Sequence, residues 1–244
     1  MEIDINCDVG EGIGNEKELF PLISSCNIAC GAHAGDLTTM DAVVQLAIKY
    51  NVKVGAHPSY PDRNNFGRVS MEISAEQLQE SIKNQVDSLR LLTEKYHVKL
   101  HHIKAHGALY NDLAKNEALA TVYLEAIEKY KHIVFLYVPY GSKIETLAVQ
   151  KGFKIKKEAF GDRNYNADLS LVSRKLTNAL IQDPTLVINH IVRMLRKREV
   201  RTVDGEMIAI EADTFCIHGD TPAALQILMY LSVELTKQHI FVTK

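Results

Sequence analysis

Short apolar stretches rich in β-branched residues alternate with segments of helical periodicity along the chain, a rhythm that confines it to βαβ units around a mainly parallel sheet. The spacing predicts strands near 2–8, 26–30, 52–57, 99–105, 133–138, 154–160 and 213–218. Met40, Val43, Val44 and Ala47 recur at helical intervals near 38–50, and Leu78, Ile82, Val86, Leu89 and Leu92 form one stripe of a helix beginning at Ser74. Ser74 and Gln77 stand at the spacing of a capping box. Asp183-Pro184 and Thr221-Pro222 each set a capping side chain before a proline suited to the first helical position, predicting helices near 184–198 and 222–238. Further helices are expected near 112–130 and 142–151, and Val203-Asp204-Gly205-Glu206 reads as a hairpin turn.

Several of these strands end in polar chemistry. Side chains alternate across a strand, so Asp4, Asn6 and Asp8 share one face and Ile3, Ile5 and Cys7 the other. That polar row runs into Gly10-Glu11-Gly12-Ile13-Gly14. The stretches ending in His33, His57, His106 and His218 also pass from apolar residues into histidine beside Gly or Pro, or close to Gly. The same parity places Gly55 and His57, Lys104 and His106, and Cys216 and His218 on the face shared with Asp8, while Val54, Ile103, Phe215 and Ile217 face outward for packing under helices. Polar residues at the carboxyl ends of several strands favour a (β/α) barrel over an open sheet, which would gather its chemistry in one crevice.

With 244 residues, 46% of them hydrophobic and 24% charged, the chain is long enough for one such barrel, and residues 1–244 read as a single domain. A net charge of −2 gives no field for a nucleic-acid backbone, and the one basic run, Arg193-Met194-Leu195-Arg196-Lys197-Arg198, reads as the solvated end of a helix. No apolar run approaches a membrane span, and residues 2–8 read as a strand in place of an apolar leader, so no membrane contact and a cytoplasmic location are expected. Cys7, Cys26, Cys30 and Cys216 lack CxxC spacing and are expected as buried free thiols.

A carboxylate with two or three histidines can bind a divalent metal and activate water, and Asp8, His57 and His106 are the candidate ligands. Carboxylate, histidine and lysine can also move protons and hold an anion without a metal, and no tight ligand motif such as HExxH decides between the two. The glycine run after Asp8 does not complete a dinucleotide fingerprint, since Asn15 stands where glycine or alanine is needed, and no GxxxxGK[ST] run occurs. Arg68 and Arg163, in loops after predicted strands, are candidates to clamp a carboxylate or phosphate. Tyr110 and Asn111 are expected in a polar loop above the site, where they could orient substrate.

Together, the stretches Asp4 to Gly14, Asn27 to Asp36, Gly55 to Arg68, Lys104 to Asn111, Phe160 to Tyr165 and Cys216 to Ala223 resemble the LamB/YcsF family. Ala105 replaces the family's usual proline before the histidine, and Asn65 and Val69 replace a glycine and a second arginine around Phe66-Gly67-Arg68. The resemblance implies a distorted seven-stranded (β/α) barrel of the glycoside hydrolase/deacetylase type. It also implies ATP-dependent opening of 5-oxoproline to glutamate, in a complex with 5-oxoprolinase subunits B and C, with ATP and Mg handled through the assembled complex. In that scheme Asp8 is the general base, His57, His106 and His33 orient water or substrate, and Lys104 and Arg68 neutralise carboxylate or phosphate charge. Asn6 and Asp162 support them, with Tyr110, Arg163 and His218 as further substrate-binding candidates. The rival expectations are a metal-dependent deacetylase or amidohydrolase and a non-catalytic lactam-binding subunit. The sequence leaves a homo-oligomer open.

Overall fold

The computed structural model describes residues 1–244. Its centre is a closed barrel of parallel strands in the order Thr214–Cys216, Ile5–Val9, Ser25–Ala29, Lys53–His57, Leu100–Lys104, Phe135–Pro139 and Lys154–Phe160. Thr214–Cys216, the last of these strands along the chain, closes the ring, hydrogen-bonded to Ile5–Val9 on one side and Lys154–Phe160 on the other. Each predicted strand falls on one of these seven.

The first is shorter than expected because the chain leaves the barrel at Asp4. Glu2–Ile3 pairs instead with Phe241–Val242 in a separate parallel ribbon. The Asp4 carboxylate stays at the barrel floor, accepting hydrogen bonds from Ser25 Oγ at 3.0 Å and Thr214 Oγ1 at 2.7 Å.

Parity explains how the barrel is filled. Ile5, Cys7, Val54, Ile103 and Phe215 face outward and are buried, consistent with strands covered by helices. The inward residues are mostly polar: Asn6, Asp8, Asn27, His57, His102, Lys104 and Glu158 are all buried. They can occupy a closed interior only by satisfying one another, since an unpaired polar group there costs its full desolvation.

Gly55 is part of that packing. A Cβ at this position would lie 2.0 Å from His102 Nε2. The His102 ring cannot retreat freely, because it stacks on Tyr137 at 4.0 Å and its Nε2 lies 2.6 Å from Asn27 Oδ1.

Helices Leu37–Tyr50, Ala75–Lys95, Lys143–Gln150 and Pro184–Lys197 lie where the periodicity predicts them. The Ser74 and Gln77 capping box forms, and Asp183 caps Thr185 and Leu186 ahead of Pro184. The turn at Val203–Glu206 joins the antiparallel strands Glu199–Arg201 and Met207–Ala209. Two expectations change. The single helix near 112–130 is a pair, Gly107–Lys115 and Glu117–Ala126, broken where extended Asn116 caps the second through Leu119 N. The last helix spans Ala224–Lys237 with Ala223 at its N-cap, two residues beyond Thr221, whose hydroxyl instead donates to Asp162 at 2.6 Å. No helix is long and apolar enough to cross a membrane.

Gly55→Ala is expected to overpack the barrel by about 3 kcal/mol, lowering the melting temperature by about 6–12 °C in differential scanning calorimetry. An unchanged melting temperature would show that His102 relocates without cost.

Candidate active site

Asp8, His57, Lys104, His106 and His218 come from four different strand ends and line one cavity of about 490 Å³ at the carboxyl mouth of the barrel. Glu11, Arg68, Tyr110, Asn111, Arg163 and Arg174 complete much of the wall. A second cavity of about 520 Å³ shares Tyr110, Asn111, Phe160, Leu171 and Ser173 with the first.

At the base, the Lys104 side chain is only 2% exposed, yet its Nζ lies 2.9 Å from Asp8 Oδ1 and 3.0 Å from Glu158 Oε1. It also donates to Asn6 Oδ1 at 3.4 Å and Cys216 Sγ at 3.2 Å. Burial opposes the ammonium charge, but Asp8, Cys216 and Glu158 outweigh it and hold the Lys104 pKa well above its ordinary value. Asp8 shows the complementary effect. Burial opposes its ionisation, while His57 and Lys104 hold the carboxyl well below the usual carboxylate range. Asn27 Nδ2 ties the floor together by donating to Asn6 Oδ1 and Asp8 Oδ1, both at 2.7 Å.

Above this pair lies an imidazole cluster. His57 Nε2 is 3.4 Å from Asp8 Oδ2 and 3.0 Å from His106 Nδ1. His33 stacks on His106 with ring centroids 3.7 Å apart, and its Nε2 lies 3.2 Å from Glu11 Oε1. Burial pushes the His106 pKa well down, aided by His33 and His57, and takes His33 down to about 2. Glu11 is pushed well up by burial and by the neighbouring Asp8 charge.

The remaining residues divide by position. His218 Nδ1 donates to the buried Asp162 carboxylate at 3.0 Å, and the ring stacks on Phe160 at 5.2 Å. Asp162, Asn6 and His33 stand behind the cavity wall and brace His218, Lys104 and His106, which line it. Tyr110 lies on the helix Gly107–Lys115, not in a loop, with its hydroxyl buried and unpartnered. Burial and the Glu158 charge push that phenol up. Arg163 lines the cavity, but its guanidinium is engaged by the backbone carbonyls of Val172 at 2.6 Å and Ala179 at 3.3 Å. Burial lowers its pKa to about 10. Arg68 is at the rim, paired with Asp220, which Arg174 also approaches at 3.4 Å.

Sequence reasoning did not single out Glu11, Asn27, His102, Glu158, Arg174 or Asp220. Parity carries a signal for three of them: His102 lies two residues before Lys104, Glu158 two before Phe160, and Asn27 opposite Asp8 in register. Glu11, Arg174 and Asp220 sit in irregular segments, where no period marks a side chain's direction.

Lys104→Met is expected to cost about 3–5 kcal/mol in urea denaturation, because it leaves the Asp8 and Glu158 carboxylates buried without their cation. Adding Glu158→Gln should recover part of that loss. A double mutant no more stable than the single one would show that the two charges are not coupled.

Residues 3–244 match the model of the LamB/YcsF family. The A subunit of 5-oxoprolinase from Acinetobacter baumannii (strain ACICU) is 39% identical over 98% of this chain and 96% of its own length. That of Pyrococcus furiosus is 37% identical over the same shares. Among solved structures, the lactam utilization protein from Thermus thermophilus superposes with a TM-score of 0.92 at 33% identity, covering 100% of this chain and 99% of that one. With the match running through every strand that carries the site, this chain belongs to the LamB/YcsF family.

Proposed function

We propose that this chain is the A subunit of a 5-oxoprolinase, contributing to hydrolytic ring opening of 5-oxo-L-proline to L-glutamate, coupled to ATP hydrolysis with separate B and C subunits. Family membership and the names of its relatives support this assignment. The observation on the chain itself that carries it is the Asp8, His57 and His106 cluster opening into a cavity rimmed by Arg68, Arg174 and Lys175.

A lactam resists water because amide resonance weakens the carbonyl as an electrophile and makes the nitrogen a poor leaving group. In the proposed sequence ATP, brought with magnesium through the assembled complex, phosphorylates the carbonyl oxygen and produces an activated imidate. Water then adds to the former carbonyl carbon, the Asp8 cluster takes its proton, and the C–N bond breaks as the nitrogen gains a proton, leaving glutamyl phosphate, whose phosphoryl group passes to a second water to release glutamate and inorganic phosphate. Lys104 is committed to Asp8 and Glu158, so its contribution is to keep Asp8 ionised. Binding of the substrate's carboxylate falls to the rim, where Arg68, Arg174 and Lys175 outnumber Asp220.

The direct test is glutamate formation from 5-oxoproline by this chain with the B and C subunits and ATP, compared with reactions lacking each component. Glutamate formed only by the complete mixture is expected, and none from it would reject the assignment. In that assay Asp8→Asn should lower kcat by about 10²- to 10⁴-fold while leaving assembly of the complex intact. Arg174→Ala should raise KM about tenfold with kcat little changed. A fall in kcat without a change in KM would remove Arg174 from substrate binding.

A further inference from the structure

We propose that Asp8, His57 and His106 form a binding site for one divalent first-row transition cation, held by Asp8 Oδ2, His57 Nε2 and His106 Nδ1. The ion's catalytic use rests on the ring-opening assignment; its binding does not.

Two backbone carbonyls carry the inference. His57 Nδ1 lies 2.8 Å from the Lys104 carbonyl oxygen, and His106 Nε2 lies 3.0 Å from that of Phe66. A carbonyl oxygen only accepts, so both of these nitrogens hold the ring hydrogen. In a neutral imidazole the other nitrogen then presents a lone pair. His57 Nε2 and His106 Nδ1 are therefore both acceptors, yet they face each other at 3.0 Å with Asp8 Oδ2 only 3.4 Å from the first. Lone pairs gathered this closely repel unless a cation lies among them.

The separations suit a metal. Ligands bound at about 2.0–2.1 Å stand about 3.0 Å apart at octahedral angles and about 3.4 Å apart at tetrahedral ones. The three donor atoms all lie within 4.8 Å of one another. Their outer partners also match, since a histidine that binds a metal through one nitrogen usually donates its other N–H to a carbonyl or carboxylate. Asp8 is divided in the same way: Oδ1 accepts from Lys104 and Asn27, which leaves Oδ2 for the ion.

All three residues line the cavity, so coordination positions remain open towards it for water or substrate. Glu11 Oε1, 3.4 Å from His106 Nδ1 and braced by His33 Nε2 at 3.2 Å, is the next acceptor in reach. Two imidazoles with one carboxylate suit zinc, iron, cobalt or manganese better than calcium. Such an ion, when bound, would ease deprotonation of water and polarise a carbonyl.

The competing cation is a proton shared between the two rings. Full-length protein stripped with a chelator and titrated with Co²⁺ should bind one equivalent, with visible d–d absorption that Zn²⁺ abolishes. His106→Ala and Asp8→Asn should each weaken Co²⁺ binding about 100-fold or more, with folding checked by circular dichroism. His106→Gln, which keeps most of the ring's volume, should do the same.

His218→Ala should leave the affinity within about twofold, because that ring belongs to a different grouping with Asp8 and Cys216. Loss of binding in His218→Ala alone would overturn the assignment. So would the absence of Co²⁺ binding at millimolar concentration together with a ¹⁵N-NMR signal for a proton shared by His57 and His106. If the ion binds but 5-oxoproline is not opened, only the ring-opening assignment fails. Full glutamate production by chelated, metal-free protein would remove the ion's catalytic use while leaving its binding to be judged by the titration.

Discussion

A charged ammonium group sits inside a closed barrel, and the surrounding architecture is organised by the need to compensate it. Lys104 is neutralised by Asp8 and Glu158 from two other strands, while Asn6, Asn27 and Cys216 occupy the space between them. Removing two carboxylates and an ammonium from water is costly, and only closely matched geometry repays it. The strands must therefore hold their register. A slip of one residue in any of them would turn its polar side chain outward and bring an apolar one into the ion pair.

In the proposed function, the same arrangement separates binding from chemistry. With Lys104 committed to the floor, the proposed function leaves the imidazole cluster as the reactive layer and assigns a small anion to the rim, where Arg68, Arg174 and Lys175 outnumber Asp220. His33, Asp162 and Asn6 each stand one layer back, against His106, His218 and Lys104 of the cavity lining. In the proposed function, substrate charge, proton traffic and structural charge are thus handled at three depths of one barrel.

Periodicity made the frame legible. Seven strands and most helices followed from hydrophobic spacing and capping residues, because the outward faces must be apolar to pack under helices. Face parity also placed Asp8, His57, Lys104 and His106 on one side. Parity does not give depth, so Lys104 was expected to bind an anion although its charge is already spent on Glu158. Glu11 and Asp220 lie in segments without a repeating direction, and only tertiary contacts reveal their part. Thr221 shows a local signal offset by tertiary placement, since the helix begins at Ala224 and the Thr221 hydroxyl donates to the distant Asp162.

The seam of the barrel joins segments from opposite ends of the chain. Thr214–Cys216 fits between Ile5–Val9 and Lys154–Phe160, and Glu2–Ile3 lies against Phe241–Val242. A ribosome must therefore release the chain beyond Cys216 before the ring can shut, leaving Ile5–Val9 with an open edge until then. Pairings this distant in sequence assemble slowly, and until they do, the carboxylates, imidazoles and ammonium group remain exposed to water as separate, unassembled groups.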